Sequence, residues 1–127
     1  MSPRQAFGVD KEYPYSKVIK ADGFIYIKSH VGIDPETDTI PEGITEQTTL
    51  TLGWLVRALE YAGGSPANFV RINIYLAHIE EDFDAMDVAY GSYMAAAGID
   101  RPPARTTIGS ALSWPELRIQ MDAIAVE

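Results

Sequence analysis

Only two stretches of this chain carry an apolar stripe at helical spacing, and that limits its fold more than any other feature. The first holds Leu52, Leu55, Val56 and Leu59 at i, i+3, i+4 and i+7. It predicts a helix with Thr45 as N-cap, Glu46 in the first turn and Gly63-Gly64 at its end. The second opens on Glu80-Glu81-Asp82, acids that suit a positive helix start, and carries Phe83, Met86, Tyr90, Tyr93 and Met94 before Gly98 closes it. The remaining patterned runs are β-type. Two helices cover one face of a mixed sheet and leave the other bare. That face is then solvated or buried in an oligomer, and apolar Phe24 and Tyr26 on its strands favour burial by further copies.

Residues 1–14, broken by Pro3, Gly8 and Pro14, read as irregular. A hairpin follows: Ser16 to Lys20, a turn at Ala21-Asp22-Gly23, then Phe24 to Ser29. Gly32 to Glu42 is a loop long enough to rim a site. Val70, Ile72, Ile74 and Leu76 alternate with Arg71, Asn73 and Tyr75, a strand with one buried face. Pro102-Pro103 cannot continue a helix, so Arg105-Thr106-Thr107-Ile108 starts a strand. After a turn at Ser113-Trp114-Pro115, Leu117 to Ala125 forms the last one. The predicted order is β-β-α-β-α-β-β, an α+β fold.

The 127 residues suit one domain spanning 1–127. With no cysteine there is no disulfide frame, thiolate nucleophile or Cys metal site. A net charge of −8 argues against a nucleic-acid partner. The start lacks a signal-peptide core, and no run is long and apolar enough to span a membrane, so no membrane partner and a cytoplasmic location are expected. His30 and His78 stand alone without ligand spacing, so no metal is predicted. There is no phosphate-cradling loop and no nucleophile elbow.

Arg105 is the strongest candidate for chemistry. A guanidinium at the start of a rigid strand suits bidentate capture of a carboxylate, and the last two strands then present a small-acid site with Gln120. The plainer reading, an edge arginine paired with a surface carboxylate, is commoner. His30, at a strand end beside the long loop, is either a general base or an exposed loop residue. Tyr15 is either a hydroxyl donor to a ligand or a packed aromatic. Gln120 and Asp122 share one strand face and need partners if that face is buried.

The segments Pro103 to Ile108 and Leu117 to Ala125 resemble the signature of the Rid family, also called YjgF or endoribonuclease L-PSP. Pro14-Tyr15-Ser16, Gly32 to Thr37, Ala62-Gly63-Gly64 and Phe83 to Tyr90 extend the similarity from about Tyr13 to the C-terminus. The resemblance implies a chorismate-mutase-like α+β fold, a homotrimer with a barrel-like core, and ligand sites between subunits. It implies cofactor-free hydrolysis of enamine and imine intermediates of small carboxylic acids. By the same resemblance Arg105 holds the substrate carboxylate, the backbone around Thr107 and Gln120 positions a water, and Tyr15, Ser29 and His30 line the pocket.

The chain also departs from the family pattern. Archetypal members carry Glu where this chain has Gln120, often Cys at Thr107, often Asn at Asp87, and Gly at Ser29. Gln orients water but exchanges no proton at neutral pH. The chain therefore reads as a divergent member. The expected activity is imine deamination; the alternatives are a trimer that binds a small acid without turning it over and, last, a ribonuclease.

Overall fold

Alternation along the strands decides which side of the sheet the helices take. A computed structural model describes residues 4–127. In chain order the elements are β1 (Gln5–Val9), β2 (Ser16–Ala21), β3 (Phe24–Val31), α1 (Ile44–Tyr61), β4 (Phe69–Leu76), α2 (Ile79–Ala96), β5 (Ala104–Gly109) and β6 (Ile119–Val126), with a short 3-10 turn at Pro66–Asn68. The sheet order is β1-β2-β3-β6-β4-β5. All neighbours run antiparallel except β4 and β5, which are parallel. A parallel pair needs a crossover, and α2 supplies it.

Ile25, Ile27, Ile72, Ile74, Ile119 and Met121 point to one side and are almost fully buried. Leu52, Leu55 and Leu59 of α1 and Met86, Tyr90 and Met94 of α2 close over them. Each large apolar side chain removed from water in this layer contributes about 1.5–3 kcal/mol. The two predicted stripes are therefore the two helix faces in the core. Among the described residues the opposite face of the sheet carries no helix. Phe24 and Tyr26 lie open on it, 41% and 43% exposed. Asp122 also lies there, accepting hydrogen bonds from Asn73 Nδ2 (2.8 Å) and Tyr75 Oη (2.9 Å). The bond to Asp122, and then burial, raise the Tyr75 pKa.

Four expectations change. Residues 1–14 are not all irregular: Gln5–Val9 is an edge strand on β2, although Pro3 lies outside the described residues. Gly8 sits there at φ 64°, and a side chain would strike Lys17, so the glycine that read as a breaker permits the pairing. The first helix is capped by Gly43 rather than Thr45, which lies inside the helix. Val70 is not on the buried face. A register shift between Phe69 and Arg71 turns it outward, and Phe69 takes the core position. Lastly, the strands bearing Arg105 and Gln120 are not neighbours; β4 lies between them.

Gln47 ties the loops to this frame. It is fully buried, donates to the carbonyls of Pro41 (2.7 Å) and Glu116 (2.9 Å), and accepts from the Arg118 backbone (2.9 Å). Gly32 permits the approach, because a Cβ there would lie 2.7 Å from the Gln47 carbonyl oxygen. Arg118 then reaches the carboxylate of Asp82 at 2.9 and 3.0 Å, so this acid at the start of α2 is a buried ion-pair partner as well as a favourable end charge.

Candidate functional site

The predicted site residues fall into two groups. The first lies where α2 crosses β5. Arg105 pairs with Ile72 on β4, and Ile72 pairs with Ala123 on β6, so Arg105 shares the row that faces the helices. Its guanidinium carbon stands 4.9 Å from the Tyr90 ring and 5.9 Å from the Phe83 ring. These ring faces hold the cation in place. Nη1 meets the Asp87 carboxylate at 2.7 Å. That ion pair is the plainer of the two readings of Arg105. Its Nε and Nη2 have no acceptor among the described residues, so part of the fork is open. Thr107 lies two residues further along the same face. The hydroxyls of Thr107 and Tyr90 are both buried without a hydrogen-bond partner among the described residues. Burial pushes the Tyr90 phenol up to about 12 against the opposing pull of Arg105, so it stays protonated and can donate.

The second group lines a cleft of about 750 Å³ at the far end of β3. The cleft arises from strand register. Pairing of β2 with β3 ends at Val18↔Ile27, and the β3–β6 register shifts between Ile27 and His30. The end of β3 is thus held by β6 alone. Tyr15, Ser29, His30 and Gln120 all line the cleft, as do Lys17, Lys28 and Arg57. Trp54 of α1 stacks on His30 with ring centroids 6.4 Å apart and planes 7° from parallel. Its indole N–H donates to the Ile33 carbonyl at 2.7 Å, and Arg57 covers it at 4.9 Å.

His30 is a poor general base. Burial, then Lys28 and Lys17, push its pKa down to about 4, so the imidazole is neutral near pH 7 and holds a proton weakly. Its Nε2 is buried without a hydrogen-bond partner among the described residues. Burial and Lys17 also lower the pKa of Lys28, whose ammonium donates to the Ser29 carbonyl at 2.9 Å and lies 5.8 Å from the Tyr15 ring.

Within one copy of the chain the two groups do not meet. Gln120 pairs with Val31 and Tyr75, and alternation along β6 sets it on the face opposite Ile119 and Met121, whereas Arg105 faces the helices. Sequence reasoning missed Tyr90, Lys17, Lys28, Trp54 and Arg57 as site residues. Tyr90 was absorbed by its helical stripe. The two lysines alternate with core residues on hairpin strands, a pattern that reads as a solvated face.

Known proteins resemble this chain over nearly its whole length. The family model described as endoribonuclease L-PSP matches residues 7–127. The chain belongs to the endoribonuclease L-PSP family, also called YjgF or Rid. The chain is 33% identical to the protein mmf2, mitochondrial, of Schizosaccharomyces pombe, covering 90% of this chain and 88% of the relative. It is 31% identical to the 2-iminobutanoate/2-iminopropanoate deaminase of Mus musculus, covering 90% and 82%. A solved YjgF family structure from Neisseria meningitidis superposes with a TM-score of 0.84 at 27% identity, covering 98% of this chain and 95% of that one. Among the described residues no helix is long and apolar enough to cross a membrane.

Proposed function

We propose that this family member hydrolyses enamine and imine intermediates of small carboxylic acids to keto acids and ammonia. The observation that carries the reading is the polar cluster beside β5: an arginine with part of its fork open, and two buried hydroxyls without partners. Buried polar atoms left unpaired in one chain point to a missing partner. A bound carboxylate would accept from Arg105, whose cation lies over the Tyr90 ring. The deaminase named among the relatives supports the reaction class.

The reaction itself asks little of the protein. The oxygen of water adds to the imine carbon, the C–N bond breaks, and nitrogen leaves as ammonia with the protons of that water. The imine is already electrophilic, so orientation supplies much of the rate. Arg105 would fix the carboxylate. Gln120, with the backbone around Thr107, would aim the water; an amide orients water without taking its proton. Tyr15, Ser29 and His30 would enclose the substrate, and Asp87 would set the charge beside Arg105. No cofactor enters the reaction.

Because Arg105 and Gln120 lie on opposite faces of the sheet, this reading needs a second copy of the chain. A homotrimer packed through the bare sheet face, with its sites between subunits, would supply one and would cover Phe24 and Tyr26. A cytoplasmic location goes with this reading and is checked by cell fractionation, since the mmf2 relative is named mitochondrial.

The test is ammonia and keto-acid release from enzymatically generated 2-aminoacrylate. Arg105→Ala should lower the rate by about ten- to a hundredfold, as expected for losing charge-assisted hydrogen bonds. Gln120→Glu should raise it. Undiminished turnover in Arg105→Ala would exclude the clamp. One observation favours a second reading: with Gln120 unable to exchange protons and His30 a weak base, the cleft holds no strong proton acceptor. A trimer that only binds small acids would show ligand-raised melting temperatures and no ammonia.

A further inference from the structure

The cleft at the end of β3 is cationic in a chain of net charge −8. Lys17, Lys28 and Arg57 line it, and among the described residues no Asp or Glu does. None of these three makes an ion pair with a carboxylate among the described residues, whereas Lys20, Arg105 and Arg118 all do. Burial, and then Lys17 nearby, disfavour the charge of Lys28. His30 adds no charge near neutrality. Like charges gathered without a counter-ion in a concave, partly dry site are a standing electrostatic cost, and a bound anion removes it.

The size of the cleft points the same way. A volume of about 750 Å³ in one copy, part of which Arg105 of another copy would fill, lies within the usual range of small-molecule sites, roughly 300–1,000 Å³, and is compatible with a ligand longer than a three- or four-carbon acid. In the reading above, Arg105 of another copy already holds the α-carboxylate. The lysines are left over.

We propose that Lys17 and Lys28 receive a second carboxylate, so that the ligand is a dianion: the imine of a dicarboxylic amino acid. This deepens the deaminase reading, since Tyr15, Ser29, His30 and Gln120 line the same cleft. Lys28, which donates to the Ser29 carbonyl and lies 5.8 Å from the Tyr15 ring, sits at the cleft wall as the nearer contact. Lys17 acts as the second charge. Ile33, Leu117 and the edge of Trp54, whose ring lies against His30 and Arg57, give the apolar lining for the carbon chain between the carboxylates.

The test is calorimetric titration with glutarate and with butyrate at one fixed ionic strength, which holds non-specific screening constant. Glutarate should bind the wild type about tenfold more tightly than butyrate, the effect of one added charge-assisted contact. Lys28→Gln and Lys17→Gln should each shrink that ratio towards one, and Lys28→Arg should preserve it. Melting curves identify any variant that fails to fold, and two independent lysine variants keep the result readable. Equal affinities in the wild type, no binding of either acid, or a ratio indifferent to both lysines would overturn the assignment. Ammonia release is read separately with imines of glutamate and of 2-aminobutyrate. Glutarate binding without release from either imine would support the cleft assignment and overturn the deaminase reading. Equal release from both imines, with equal affinities, would do the reverse.

Discussion

Asp87 holds the negative charge closest to Arg105, at 2.7 Å, and so competes with any incoming carboxylate. The pair is partly exposed, with 23% of the Arg105 side chain and 52% of the Asp87 side chain open to water, so its strength is modest. Asp87→Asn keeps the shape and removes the charge. It should tighten butyrate binding a few-fold, up to about fivefold, in calorimetric titration. Unchanged affinity would show that Asp87 does not compete. His30 supplies a second prediction, on stability. Its pKa is about 4 in the folded chain against 6.5 for the free side chain. Between these values the unfolded chain binds a proton that the folded chain refuses, so acidification favours unfolding there. Stability should fall as pH drops from about 6.5 to about 4, by on the order of 2–3 kcal/mol. His30→Phe, which keeps a ring against Trp54, should flatten that slope in urea titrations at pH 7 and 4.5. An identical slope in the variant would remove His30 as its cause.

At the scale of elements, Gln47 matters more than its place in a helix suggests. Replacing it with Leu removes the partner of the Pro41 and Glu116 carbonyls and of the Arg118 N–H, all in a part-buried setting. Each such loss costs about 1 kcal/mol or more, so Gln47→Leu should destabilise the chain by roughly 3 kcal/mol in chemical denaturation. A cost below about 1 kcal/mol would mean that water replaces these bonds. Nothing in the sequence marks Gln47, because its partners lie far away in the chain. Local signals did reveal the hairpin, both helix stripes and the strand around Ile72 and Ile74. They failed where tertiary geometry overrides them. Gly8 reads as a breaker yet permits β1, and the shift beside Phe69 reverses Val70. The placement of β4 between β5 and β6 is a long-range choice with no local mark. The candidate site was half legible for the same reason. Arg105 and Gln120 stand out as residue types, but the face each occupies follows from pairing across strands.

For the whole molecule, the bare sheet face is the feature to test. Tyr26→Asp puts a charge among apolar side chains if copies pack there, and should shift light-scattering mass from trimer to monomer and abolish deamination with it. A monomeric wild type would remove the shared-site reading. The division of Arg105 and Gln120 between two faces of one sheet has a genetic corollary. In a closed ring, each site would draw its arginine from one copy and its glutamine from the next. Arg105→Ala and Gln120→Ala chains would each be impaired at every site when alone, yet every mixed ring would contain a junction where both wild-type side chains meet. Two defective alleles expressed together would therefore rescue one another, restoring about one site in four at equal dose in a three-membered ring.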